Sequence, residues 1–254
     1  MEENNKYLLE GLKRIHDNEL EQKVVAFVDI LGFKNKVRNN DSGIRMTMAY
    51  IWKFCHDAKK DFHIYSFSDC IYMVADESKL DKVLELIAVI QRSLFDTGIS
   101  EIKKGVVRDG LSNNVYLLRG GITKGKVYSC QEENILYGEA VNRAYELESE
   151  YAKYPGILLD RTLCEEPICK EYTYKYECND DFQVGEKCSR EKIYFDYFKF
   201  LIKQKNDTTL DLNEINKQVE KEMNEVKQKS KEAEKVNEKL EWFLEYSNKT
   251  MKEK

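Results

Sequence analysis

The chain has 254 residues, enough for one large domain or for one medium domain with an appendage. It carries 41 basic and 46 acidic side chains, a formal charge of −5, and this mild acidity favours neither a nucleic-acid nor a membrane partner. A hydrophobic fraction of 42% with 16 Tyr and 11 Phe predicts a real core and excludes disorder throughout. No stretch approaches the roughly 18 uncharged residues of a membrane span. Residues 1–14 lack the apolar run of a signal peptide, so we expect a soluble, cytoplasmic protein.

The cysteine pattern agrees with that compartment. An odd number of scattered cysteines fits a reducing environment better than a disulfide framework. The last four lie close together but lack the paired spacing of a zinc site, so buried or surface thiols are the preferred interpretation. The seven are Cys55, Cys70, Cys130, Cys164, Cys169, Cys178 and Cys188.

Apolar patterns predict alternating strands and helices over most of the chain. Strands are predicted where short apolar runs are bounded by turn residues, and helices where the apolar period is near 3.6 residues. The predicted strands are residues 23–29, 62–67, 70–75, 115–123, 125–128, 157–160, 172–176 and 193–200. The predicted helices are residues 42–58, 79–94 and 138–153, and residues 30–33 and 68–69 are predicted turns.

The order of these elements, β-α-β-β-α-β, is the split βαβ (ferredoxin-like) arrangement. It predicts an α+β fold in which helices cover one face of a sheet that contains antiparallel strands. We divide the chain into a helical N-terminal segment (1–21), a globular domain (22–200) and a charged helical extension (201–254).

The extension has one regular apolar stripe. Apolar residues recur there every seven positions, while Glu222 and Lys229 interrupt a second stripe. This pattern predicts one long helix that packs on its own domain or contacts a second copy, and the interruption argues against a free-standing coiled coil. The regular stripe consists of Leu212, Val219, Val226, Ala233 and Leu240.

Two aspartates follow predicted strands that lie side by side in the split βαβ order. Asp29 ends an apolar strand, where an unpaired carboxylate is costly, and Gly32 lets the backbone turn closely around it. Asp69 lies at the tip of the predicted hairpin. Taken singly, the first could cap a helix and the second could be an ordinary turn residue. Together they would repel each other unless a cation lay between them, and oxygen ligands in low number suit Mg²⁺ or Mn²⁺.

A third informative segment is YGEAVNRAYELE, residues 137–148. Asn142 stands near the start of the helix predicted there. Its side chain could cap the helix or donate a hydrogen bond to the ribose or phosphate of a ligand.

The segments FVDILGF, FSDC, RGGITKG and YGEAVNRAYELE, in this order, resemble the catalytic domain of class III nucleotidyl cyclases over residues 22–200. The resemblance implies a head-to-tail homodimer with active sites at its interface and two Mg²⁺ or Mn²⁺ ions per site. It implies metal binding by Asp29, Ile30 and Asp69, and ribose orientation by Asn142. It also implies that Gly32 and Phe33 contact a nucleoside triphosphate, whose 3′-hydroxyl attacks the α-phosphate and releases diphosphate.

Three positions depart from that family. Glu146 stands where the family carries an arginine that stabilises phosphate charge. Tyr65 and Ile135 stand where adenylate-specific members carry a lysine and an aspartate that read the base. These departures, with FSDC and AYELE, resemble the bacterial anti-phage pyrimidine cyclases of the Pycsar systems, although Gly156 replaces an arginine common there. This resemblance implies conversion of UTP to cyclic UMP, which activates a separately encoded effector protein.

Several alternatives stay open from the sequence. The substrate could be CTP or a purine nucleotide, or the domain could bind a nucleotide without catalysis. A weaker alternative is a coiled-coil adaptor formed by residues 211–254. The candidate cations that replace the missing arginine as catalytic groups are Lys124, Lys126 and Arg143, and Arg119 is a further one.

Overall fold

A computed structural model describes residues 6, 9–11, 13, 19–39, 41–103, 116–184, 187–225 and 231–252. Its strands form one mixed sheet in the order β2-β3-β1-β4-β6-β8-β7, with β5 paired to β4 beside it. Strands β4 and β6 are parallel, and the other described pairs are antiparallel. The strands are β1 (Glu21–Ile30), β2 (His63–Phe67), β3 (Cys70–Asp76), β4 (Leu118–Cys130), β5 (Ile135–Tyr137), β6 (Ile157–Leu159), β7 (Thr173–Val184) and β8 (Lys187–Phe195).

Helices connect these strands and cover the sheet. The chain also contains short 3₁₀ turns at Glu77–Lys79 and Arg161–Leu163 and a π-helical turn at Leu147–Tyr151. The helices are α1 (Phe33–Asn39), α2 (Asp41–Ala58), α3 (Leu80–Lys103), α4 (Glu139–Glu146), α5 (Pro167–Glu171), α6 (Tyr197–Lys203), α7 (Leu212–Glu225) and α8 (Lys231–Lys252). The α+β class predicted from the sequence is confirmed, but the prediction that helices cover one face of the sheet was wrong, because α4 packs on the face opposite α2 and α3.

Two strand predictions were wrong. Residues 115–123 and 125–128 were predicted as separate strands, but β4 runs through both because its pairing with β1 continues without interruption. Residues 193–200 were predicted as one strand, but β8 ends at Phe195. Asp196 then caps α6, its side chain accepting a hydrogen bond from the backbone N–H of Lys199 at 2.9 Å. A continuous apolar run fits a buried helix as well as a strand, and the periodicity alone did not distinguish them.

The prediction of one long C-terminal helix was also wrong. The Nδ2 atom of Asn216 in α7 donates to Oδ1 of Asn248 in α8 at 3.2 Å. In one straight helix those residues would lie about 48 Å apart, at 1.5 Å per residue. The regular stripe is buried within this chain at Leu212, Val219, Ala233 and Leu240, which confirms packing on its own domain; Val226 and Lys229 lie outside the described residues.

The sheet has two unequal faces, and β1 contributes to both. Because side chains alternate along a strand, Val24, Ala26, Val28 and Ile30 point to one face and enter a large apolar cluster, which we call the larger core. The opposite side chains enter the smaller core, which lies beneath α4. The buried members of the smaller core are Val25, Phe27, Val74, Val127, Ala140, Val141 and Ala144.

The C-terminal helices complete the larger core. The ring of Trp242 stacks on Tyr154 with centroids 5.5 Å apart, and Phe243 is fully buried. The hydroxyl of Tyr246 donates to Oδ1 of Asp196 at 2.8 Å, which ties α8 to the start of α6. Residues on both sides of position 201 therefore share one core. Within the described part of the chain, no helix combines the length and the apolar character needed to cross a membrane.

Candidate active site

Asp29 lies near the end of β1, the third of the seven strands in the sheet order. On one side it pairs directly with Arg119 of β4. On the other side the β1–β3 register, whose last pair is Val28 with Ile71, leads to Cys70 as its neighbour. The three side chains therefore stand in a row across three strands, on the face of the smaller core.

Asp69 reaches the same place through a two-residue hairpin turn. Phe67 pairs with Cys70, so only Ser68 and Asp69 connect β2 and β3. Ser68 has a φ of 57°, the left-handed conformation that tight hairpin turns require. The turn brings Asp69 beside Asp29, and ligand atoms of Asp29, Asp69 and Cys70 all lie within 4.8 Å of one another.

The electrostatics of this cluster favour a bound cation. Burial, followed by the hydrogen bond and negative charge of Asp69, raises the pKa of Asp29 to about 7, although Arg119 opposes this. Burial, followed by the charges of the two aspartates, raises the pKa of the Cys70 thiol to about 12. Both groups therefore hold protons more tightly than usual, first because they are buried and then because negative charges adjoin them, and a cation among them would offset the repulsive part.

Arg119 is held beside this cluster by a buried glutamate. Its Nη2 atom lies 3.3 Å from Oδ2 of Asp29 and also forms an ion pair with Glu148, a residue only 5% exposed. Glu148 belongs to the π-helical turn that follows α4. This turn lies directly on β4, because a Cβ atom at Gly121 would stand 2.3 Å from Cβ of Leu147.

The sequence analysis missed Glu148 and assigned no role to Cys70. A signal for Glu148 was present: it follows Val141 by seven residues and Ala144 by four, so it shares the apolar face of the predicted helix. A charged residue on such a face needs a buried partner. Cys70 was visible only as part of FSDC, and its significance depends on the register of β1 and β3.

The two positions predicted to face the base lie together. The hydroxyl of Tyr65 donates to the backbone carbonyl of Ile135 at 3.0 Å. Strand β5, which carries Ile135, is held there by its hairpin with the end of β4. The hairpin turn also meets the edge strand β2, since Oε1 of Gln131 accepts from the N–H of Ile64 at 3.0 Å. Burial raises the pKa of Tyr65 to about 12, so its hydroxyl stays protonated.

Lys124 and Arg143 form ion pairs within this chain. Nζ of Lys124 lies 2.6 Å from Oε1 of Glu166. The guanidinium of Arg143 contacts Oδ1 of buried Asp160 at 3.0 Å and Oε2 of Glu146 at 2.7 Å. Glu146, which stands in place of the family's arginine, therefore has its own cationic partner in the same helix.

The remaining predicted residues differ in what they offer. Asn142 is exposed in the first turn of α4. The side chain of Ile30 is fully buried in the larger core, on the opposite face from Asp29, so only its backbone could serve a ligand. Gly32 has a φ of 74° and forms the turn into α1. Phe33 begins α1 and is half-buried against the larger core.

Comparison with known proteins gives structural likeness only. No family model matches the chain, and no curated protein matches its sequence. The adenylyl cyclase CyaB from P. aeruginosa shares 14% sequence identity with the chain. The match covers 70% of this chain and 94% of that protein, with a TM-score of 0.48. A guanylyl cyclase domain of the RhoGC fusion protein from the fungus Blastocladiella emersonii shares 18% identity with the chain. That match covers 70% of this chain and 97% of the fungal domain, with a TM-score of 0.49.

A third similar structure is the guanylate cyclase domain of RhGC from Catenaria anguillulae in complex with GTP. It shares 18% identity with the chain, covers 70% of it and 97% of its own length, and has a TM-score of 0.48. At these values the likeness does not extend to an assignment of activity or substrate.

Proposed function

We propose that this protein is a class III-type nucleotidyl cyclase that converts UTP to 3′,5′-cyclic UMP and diphosphate. The observation that carries the proposal is the convergence of Asp29 and Asp69, two residues distant in the sequence, at the end of β1. The two carboxylates share a site in which burial, followed by the charge of Asp69, raises the pKa of Asp29 to about 7, and such a site fits a divalent cation such as Mg²⁺ or Mn²⁺. We assign the backbone of Ile30 to the same site.

The reaction is a displacement at phosphorus. The ribose 3′-oxygen forms a bond to the α-phosphorus, the bond to the bridging oxygen breaks, and diphosphate leaves while the 3′-hydroxyl proton passes to water. Divalent ions at Asp29 and Asp69 would supply charge stabilisation and a more acidic 3′-hydroxyl. The protein's own contribution is to position the groups.

Arg119 lies beside this pair of aspartates, and we assign it the stabilisation of negative charge on the substrate's phosphates. Its ion pairs with Asp29 and Glu148 fix the guanidinium at the site before a substrate binds. Such a preoriented positive charge stabilises negative charge on phosphate oxygens without reorganisation. We assign Arg143 a secondary role, in which a bound triphosphate competes with its carboxylate partners. Lys124 lies on the face of the larger core by the strand register, opposite Asp29, so we assign it no contact with the substrate.

The active form in this proposal is a homodimer, in which Asn142 of one copy orients the ribose held by the other. Two observations support it. Asn142 is exposed. Two large aromatic side chains on the same face of the sheet are also exposed, Tyr145 to 53% and Phe67 to 85%, as expected of residues that a second copy covers.

The base pocket supports a pyrimidine. Tyr65 places a large ring where the family's purine readers carry a lysine, which shortens the space for a base. Its hydroxyl donates to the backbone carbonyl of Ile135, and we assign its oxygen as an acceptor for a base N–H. Uracil N3–H and the cytosine amino group both fit an acceptor, which makes CTP the second candidate. Gly32 and Phe33 would line the substrate side of the β1 turn.

The biological role we propose is a cytoplasmic second messenger for anti-phage defence, read by a separate effector protein. The test of the chemistry is incubation with each of the four nucleoside triphosphates and Mn²⁺, followed by identification of the product by mass. We expect cyclic UMP. Cyclic AMP or cyclic GMP as the main product would contradict the pyrimidine assignment. Nucleotide binding without any product would leave a degenerate domain in place of an enzyme.

A further inference from the structure

We propose that Cys70 is a third ligand of the cation site formed by Asp29 and Asp69, and that it gives this site a preference for thiophilic divalent ions such as Zn²⁺ and Cd²⁺. The inference rests on the proposed cation site and specifies which metal ions bind there and inhibit the enzyme. It follows from the position of Cys70 in the sheet, which is independent of what the enzyme's substrate is.

The geometry allows one ion to bind both residues of the β1–β3 pair. Sγ of Cys70 lies 3.9 Å from Oδ1 of Asp29. An ion bound about 2.3 Å from sulfur and about 2.1 Å from oxygen can join ligand atoms up to about 4.4 Å apart. Ligand atoms of Asp69 lie within the same 4.8 Å cluster.

The backbone fixes this arrangement. Cys70 is the first residue of β3, and its pairing with Phe67 closes the two-residue turn that carries Asp69. Its side chain points to the smaller core, on the face of Asp29, and the residue is partly exposed, so the cluster lies near the surface. No rearrangement of the sheet is needed to bring the three donors to one ion.

The mixed donor set determines which ions bind best. Two carboxylates alone favour hard ions such as Mg²⁺, whereas a thiolate adds strong affinity for Zn²⁺ and Cd²⁺. When the metal–sulfur bond forms, the S–H bond breaks and its proton passes to water, so no electrons are transferred. A thiophilic ion bound in this way occupies the position that the proposed reaction assigns to Mg²⁺ or Mn²⁺ and inhibits it.

A cadmium titration tests the ligand without catalysis. Thiolate-to-metal absorption in the ultraviolet is followed as Cd²⁺ is added to the full-length protein and to the Cys70→Ser variant. We expect the variant to lose one thiolate's share of the absorption and to bind Cd²⁺ at least about tenfold more weakly at this site. Cys130→Ser is the matched control, because Cys130 is also half-buried and lies outside the cluster.

Asp69→Ala tests whether sulfur and carboxylate share one ion. It should weaken the Cd²⁺ binding that this absorption band reports. The band comes from the Cys70 thiolate, and the substitution removes a carboxylate that binds the same ion. Absorption and affinity that are identical in the protein and in Cys70→Ser would overturn the proposal. If thermal unfolding shows that Cys70→Ser does not fold, the same titration is carried out with Cys70→Ala and judged by the same outcomes.

Inhibition by Zn²⁺ gives a second readout. Each variant is compared with its own Mn²⁺-supported rate, and Cys70→Ser should require at least about tenfold more Zn²⁺ for half-inhibition. Equal inhibition of both would count against the proposal. If the protein cyclises no nucleotide at all, the proposed function fails, but the Cd²⁺ absorption still decides the role of Cys70.

Discussion

The two faces of the sheet differ in what covers them and in what they carry. The larger core joins β1 to α2, α3, α6 and both C-terminal helices. The smaller core consists of a few side chains beneath α4 and adjoins Asp29, Arg119 and Cys70. Because β1 alternates between the faces, one strand contributes both to stability and to the site. The thinly covered face therefore carries the charged cluster, while the thickly covered face buries most of the apolar side chains.

The largest effect is expected when a carboxylate is removed from the thinly covered face of the sheet. Asp69→Ala should lower product formation by at least about 10³-fold, because the cation site loses a ligand that stabilises the transition state. The unfolding temperature should change little, since Asp69 lies in a two-residue turn. Product formation is followed by mass and folding by thermal unfolding.

The matched control for Asp69→Ala is Asp76→Ala at the other end of β3. Asp76 is exposed and binds Lys23 at 2.6 Å, far along the strand from the site, so activity should persist. Unchanged turnover in Asp69→Ala would remove the metal-binding assignment.

The thick face is tested by a change in α8. Phe243→Ala should lower the free energy of unfolding by about 3–5 kcal/mol, because Phe243 is fully buried against Phe95 and Phe198. Denaturant unfolding measures the difference. Glu245→Ala, an exposed position in the same helix, should change it by less than about 0.5 kcal/mol. A comparably small effect of Phe243→Ala would mean that the C-terminal helices contribute little to the core.

The pH dependence of metal binding tests the electrostatics of the thin face. In the folded, metal-free protein the pKa of Asp29 is raised from 3.8 to about 7, so between these values the native state holds a proton that the unfolded chain has released. Its contribution to metal-free stability is therefore complete below pH 3.8 and declines as the pH rises toward 7.

Metal binding should show the opposite trend, because a divalent ion must displace that proton. Mn²⁺ affinity should rise by about tenfold per pH unit below pH 7 and level off above it. Calorimetric titration between pH 5 and 8 measures this. In Asp69→Ala the plateau should begin at lower pH, since the repelling charge is gone. An affinity independent of pH in the unmodified protein would show that Asp29 is ionised throughout.

The smallest expected effect concerns the base pocket. Tyr65→Phe keeps the ring but removes the hydroxyl that donates to Ile135, so KM for UTP should rise by about two- to tenfold with little change in kcat. Tyr50→Phe, at an exposed tyrosine of α2, serves as control and should leave both constants unchanged. A KM that is unaffected for every nucleotide would show that the hydroxyl of Tyr65 does not contribute to base binding.

Part of this arrangement could be predicted from residue order. The apolar run of β1 ends at Asp29, and Asp69 lies at the tip of the hairpin. The split βαβ order was therefore enough to predict that the two residues lie close together. Asp196 and the apolar run after it could not be assigned in the same way, since a buried helix and a strand share that pattern. The positions of Glu148 and Cys70 depend on side chains that meet across elements, which a one-dimensional pattern does not contain.

The tight packing at Gly121 has a structural consequence. Since no methyl group fits between Gly121 and Leu147, the π-helical turn that follows α4 packs directly against strand β4. Glu148 belongs to this turn and Arg119 lies two residues before Gly121 on β4, so the close contact also sets the spacing of the ion pair beside Asp29.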